Sequence, residues 1–87
     1  KIGHIERMST LTSEQLRMAR TALKWSFEEL GQRCQVSART IRRIESEGGL
    51  SSATAANLKL IRETLETAGV EFIGAPGAGP GVRLWVK

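Results

Sequence analysis

Apolar and polar positions follow two different periods along this chain, a helical one from residue 12 to residue 69 and a strand-like one beyond it. In the first stretch Leu16, Ala19, Ala22 and Leu23 recur three and four residues apart, which lines one face of a helix. Thr12 stands ahead of that face with Gln15 three residues on, a pairing that closes a helix start by reciprocal bonds to free backbone N–H groups. Trp25 is expected to seal the corner that follows, because Ser26 and Glu29 repeat the capping pattern immediately. From Phe27 to Ser46, FEELGQRCQVSARTIRRIES sets Leu30, Cys34, Val36, Ile41 and Ile44 where two short helices crossing steeply must bury side chains against each other. Gly31 is small enough to let them cross closely. Ser37, led in by Val36, is expected to cap the second of these helices, over about residues 37–46, and Gly48 and Gly49 to end it. Thr54 with Asn57, or alternatively Ser52, starts a further helix with the stripe Leu58, Ile61, Leu65 and Ala68, ended by Gly69.

At Val70 the pattern changes to VEFI and VRLWVK, β-favouring runs separated by GAPGAGPG, which is suited only to turn or loop. The expected fold class is therefore mainly α, four to five helices followed by a short C-terminal β-hairpin or strand pair. Two strands alone are marginally stable, and Phe72, Val82, Leu84, Trp85 and Val86 are too much apolar surface for a free tail. Pairing with a second copy, making residues 70–87 a dimerisation element, is the expected solution. The alternative is that they fold back on the chain's own helices.

Composition narrows the class. The chain has 87 residues, one domain's worth, with a formal net charge of +4. A core of this size is small, which itself favours tight helical packing or a partner copy. Residues 1–7 show no period and precede the natural-looking start at Met8. They read as vector-derived sequence, leaving 8–69 as the helical domain. No run is long and apolar enough to cross a membrane and no signal-peptide pattern is seen, so the expected location is cytoplasmic. Cys34, the single cysteine, stands at an apolar position as a small hydrophobe. The positive charge is concentrated: Arg33, Arg39, Arg42 and Arg43 lie between Gln32 and Ile44 with no acid among them. Arg17, Arg20 and Lys24, off the apolar face of the first helix, are expected to be solvated or near phosphates. Glu45, near a helix end, is expected to be solvated or capping.

LRMARTALKWSFEEL, then VSARTIRRIE, then an amphipathic helix ending in ETAGVEF, in that order and at short separations, resembles the phage-repressor-like (Cro/C1, xenobiotic-response-element type) helix-turn-helix transcriptional regulators over residues 12–69. The resemblance implies sequence-specific binding of double-stranded DNA, with the helix at 37–46 in the major groove and two copies on a palindromic operator. Ala38, Arg39 and Arg43 are then the base-contacting positions; either arginine is suited to guanine O6 and N7, and Ala38 to a thymine methyl. Ser26, Ser37, Thr40 and Arg42 are the phosphate contacts that fix register. Two residues depart from the family's pattern. Phe27 stands where relatives usually carry a phosphate-binding Gln, and Gln35 stands where the turn often has Gly, so a slightly different turn is one expected outcome.

Other chemistries find little support. The chain has no Asp or Tyr, its only His is His4, and no Ser has a plausible His base. No cluster has metal-ligand spacing, and the glycines of residues 74–81 lead into a strand rather than a helix, so no enzyme, metal or nucleotide cofactor is expected. The rival reading is an antitoxin or antiactivator whose main partner is another protein, gripped by the apolar hairpin.

Overall fold

All four helices among the described residues start on a hydroxyl. The computed structural model describes residues 11–46, 53–75 and 77–85. In it α1 (Ser13–Ala22), α2 (Phe27–Cys34), α3 (Ala38–Glu45) and α4 (Ala55–Thr67) are followed by β1 (Val70–Ile73) and β2 (Gly81–Leu84). Thr12, Ser26, Ser37 and Thr54, each in an extended conformation, accept the backbone N–H three residues ahead at 3.0–3.1 Å. At Thr12 the reciprocal bond is present too, its N–H donating to Gln15 Oε1 at 3.1 Å. Of the two starts open for α4, Thr54 is the one used.

The turn between α2 and α3 keeps the left-handed residue that the sequence put in doubt. Gln35 takes it, at φ 61° and ψ 35°, and its N–H donates to Gly31 O at 2.8 Å. Gly31 is where the turn folds back on α2: a Cβ there would stand 2.7 Å from Val36 O and 3.2 Å from Ala38 N, both backbone atoms that cannot move aside alone. Left-handed backbone is strained in a side-chain-bearing residue by about 1–2 kcal/mol, and glycine returns part of that as extra chain entropy in the unfolded state. Gln35→Gly is therefore expected to stabilise the fold by about 0.5–1 kcal/mol, read as a higher urea midpoint. A lower midpoint would show that the Gln35 side chain contributes more than its strain costs.

Leu16, Ala19, Leu30, Cys34, Val36, Ile41, Ile44, Ile61, Leu65 and Val70 make one buried cluster, so all four helices and β1 share a core. The strands pair with each other, antiparallel, with Val70 opposite Leu84 and Phe72 opposite Val82. Alternation puts those four on one face of the sheet. Phe72 and Val82, expected at a dimer interface, are half-buried against the core of their own chain, whereas Leu84 and Trp85 are 37% and 58% exposed. Val86, and the expected helix end at Gly48 and Gly49, lie outside the described residues. Gln15 does more than cap α1. Buried at 2% exposure, it donates through Nε2 to Ile73 O at 3.0 Å and Gly81 O at 2.9 Å, pinning the hairpin to the first turn of α1. No described helix is long and apolar enough to cross a membrane.

Candidate nucleic-acid interface

α3 is amphipathic to an unusual degree for eight residues. Ile41 and Ile44 are fully buried beneath it, while Arg39, Arg42 and Arg43 are exposed. None of these three arginines makes an ion pair or a side-chain hydrogen bond among the described residues. Arg33, the fourth cation of the sequence cluster, is committed elsewhere: its Nε donates to Glu29 at 2.7 Å and its guanidinium lies 4.4 Å over the Trp25 ring. Trp25 accordingly sits half-buried at the corner before α2.

Ala38 is half-buried at the first position of α3. Beside it the Ser37 hydroxyl accepts the Thr40 N–H at 3.1 Å and donates to Thr40 Oγ1 at 2.8 Å. This relay leaves the Thr40 hydroxyl hydrogen free for an outside acceptor. The Ser26 hydroxyl, accepting the Glu29 N–H at 3.0 Å, is likewise left with its own hydrogen to donate. The phosphate contacts expected at Ser26 and Thr40 thus lie at two helix starts, where partial positive charge favours an anion, whereas the Ser37 hydroxyl, also expected there, gives its only hydrogen to Thr40.

The far end of α3 is held in a way the sequence reading missed. Helix C-termini expose unpaired carbonyls, and here α1 supplies the donors. Ser13 Oγ donates to Ile44 O at 2.7 Å, Arg17 Nη2 donates to Glu45 O at 2.8 Å, and the Ser46 N–H closes on Arg43 O. Arg17, exposed as expected, is therefore also a helix cap. Arg20 and Glu45 depart from expectation. Glu45 is 4% exposed, and its carboxylate takes Arg20 Nε at 2.6 Å and Nη2 at 3.0 Å, a two-pronged ion pair between α1 and α3. Arg20 Nη1 then donates to Trp25 O at 3.0 Å. Glu45 holds the Arg20 pKa above its ordinary value, chiefly by hydrogen bonding, against the opposing effect of burial. The sequence did carry a signal for this pair. Glu45 is four residues from Ile41 and so shares its buried face, where a carboxylate requires a cation.

Phe27 replaces a hydrogen-bonding side chain with a ring packed under charge. The Arg20 guanidinium lies 4.1 Å and the Arg42 guanidinium 4.9 Å from its centroid. Cys34 is buried, and desolvation raises its thiol pKa, which keeps it protonated and unreactive. A groove of about 520 Å³ between α2 and α4, lined among others by Trp25, Cys34 and Leu60, receives no residue from α3.

The arrangement is a braced basic helix with its cations outward, preceded by a helix that crosses beneath it at a glycine. Neither the curated proteins nor the solved structures yield a match to this chain. A family model described as helix-turn-helix matches residues 16–72, from the first buried leucine of α1 to the middle of β1 and more than half of the chain. By geometry and by that match, the chain belongs to the Cro/C1-type helix-turn-helix family of DNA-binding transcriptional regulators.

Proposed function

We propose that this chain is a repressor that binds a palindromic operator as a dimer, with α3 in the major groove of each half-site. The observation that carries the reading is the trio Arg39, Arg42 and Arg43, exposed and without carboxylate partners among the described residues, on a helix whose underside is fixed by Ile41, Ile44 and the capped C-terminus. Ala38, Arg39 and Arg43 read bases in this account, and Ser26, Thr40 and Arg42 hold phosphates, with Ser37 orienting the Thr40 hydroxyl. Occupying an operator is the action such a surface performs by itself, and where the site overlaps a promoter the outcome is repression. The dimer contact is assigned to the exposed apolar end of the hairpin, Leu84 and Trp85.

Selection of bound duplexes from a random pool tests the reading as a whole. The expected product is an inverted repeat with half-site centres about 34 Å, one helical turn, apart. Enrichment of a single half-site would remove the dimer, and no enrichment at all would remove sequence-specific binding.

A further inference from the structure

The two guanidinium groups over the Phe27 ring are not equivalent. Arg20 is fully committed: two of its nitrogens bind the Glu45 carboxylate and the third donates to Trp25 O. It gives the ring, 4.1 Å away, a fixed neighbour. Arg42 is exposed and makes no ion pair among the described residues, so the ring at 4.9 Å is the contact that orients it. Arg42 and Glu45 are both on α3, three residues apart, which closes a circuit from Glu45 through Arg20 and Phe27 to Arg42 and back to the same helix. At this seam Glu28 is an exposed acid and the Glu29 carboxylate is paired with Arg33. Arg42 is the uncommitted cation that the ring brings to the start of α2.

We propose that Phe27 is a positioning residue for DNA binding, its ring holding the Arg42 guanidinium ready at a backbone phosphate where α2 begins. The ring carries no phosphate-binding atom itself. It supplies orientation, so that Arg42 loses less side-chain freedom when DNA arrives. This inference rests on the DNA-binding reading above, but it can fail while that reading stands.

The test is equilibrium binding of the full chain to a labelled duplex of arbitrary sequence, because a phosphate contact shows in the salt dependence whatever the bases. Arg42→Ala is expected to flatten that dependence by one phosphate's worth, shrinking the fall in affinity between about 50 and about 200 mM salt by about 3.5-fold. Phe27→Leu, which keeps apolar bulk and the Arg42 charge but loses the π face, is expected to keep the wild-type salt dependence while weakening binding by about 2- to 12-fold, the cost of ordering one long side chain, and to weaken Arg42→Ala no further in the double variant. Phe27→Trp, which keeps a π face, is expected to keep the wild-type affinity. Phe27→Met serves as a second non-aromatic variant, with thermal melts of each protein showing that it is folded. Wild-type affinity for folded Phe27→Leu or Phe27→Met, additive losses in the double variant, or a wild-type salt dependence in Arg42→Ala would each overturn the proposal and leave DNA binding intact. Failure of the wild-type chain to bind duplex at the lowest salt would overturn both.

Discussion

Glu45→Ala is expected to lower the stability of the folded chain by about 3 kcal/mol, at the lower end of the range for a broken buried ion pair. The variant removes both oxygens that neutralise Arg20 and leaves that guanidinium, 16% exposed, with Trp25 O and the Phe27 ring. The residual access to water is why the lower end of the range applies. For a chain of 87 residues a total stability of roughly 4–13 kcal/mol is usual, so the loss is a large share of it. Raising the pH does not mimic the mutation. A folded-state pKa raised above the ordinary arginine value means that the stabilisation is fully present at any pH below that value, and it fades only as pH climbs through the raised one. The pair therefore acts as a constant clamp on the arginine side throughout the neutral range. Urea unfolding followed by circular dichroism measures the loss. A change under about 1 kcal/mol would mean that the pair is screened as a surface pair is. Arg20→Met combined with Glu45→Leu is expected to recover most of the loss, since it is the orphaned charge, more than the absent attraction, that destabilises.

Local signals in the sequence place three of the four described helix starts and narrow the fourth to Thr54 or Ser52, because each depends on one hydroxyl and the N–H three residues on. Thr12, Ser26, Ser37 and Thr54 all do what their spacing implies. The close crossing at Gly31 and the two strands at VEFI and VRL were legible for the same reason. What was not legible depends on atoms far apart in the chain. Arg20 was read as near solvent or phosphate because its own helix gives no hint of Glu45, 25 residues away. The last carbonyls of α3 are met by Ser13 and Arg17, 31 and 28 residues earlier, which no spacing near the helix end announces. Gln15 was legible as a cap, but its amide nitrogen also reaches a hairpin 58 residues on. In each case the distant partner is supplied only by packing, and for Gln15 it comes in addition to a local one. Phe27 is the converse. Its departure from the family's usual residue was plain, and its use as a platform between two arginines needed the geometry.

Arg43→Ala is expected to weaken binding to the selected operator by about 5- to 150-fold, the 1–3 kcal/mol that a two-pronged arginine contact to guanine contributes. The same variant should leave affinity for random duplex within about threefold, because losing a base contact changes no phosphate count. Arg39 and Arg43 are four residues apart on an eight-residue helix, so they share a side and stand about 6 Å apart along the axis. With base pairs stacked about 3.4 Å apart, the two side chains meet positions about two pairs apart if α3 lies along the groove. Selection repeated with Arg43→Ala and with Arg39→Ala should therefore relax the preference at two different positions of each half-site, separated by about that distance. The rigidity needed for such discrimination is built under the helix: Ile41 and Ile44 fix its depth, and Ser13 and Arg17 fix its far end. Competition binding at a single salt concentration compares operator with random duplex directly. Equal losses on both would make Arg43 a phosphate anchor and leave sequence reading to Ala38 and Arg39 at the start of the helix.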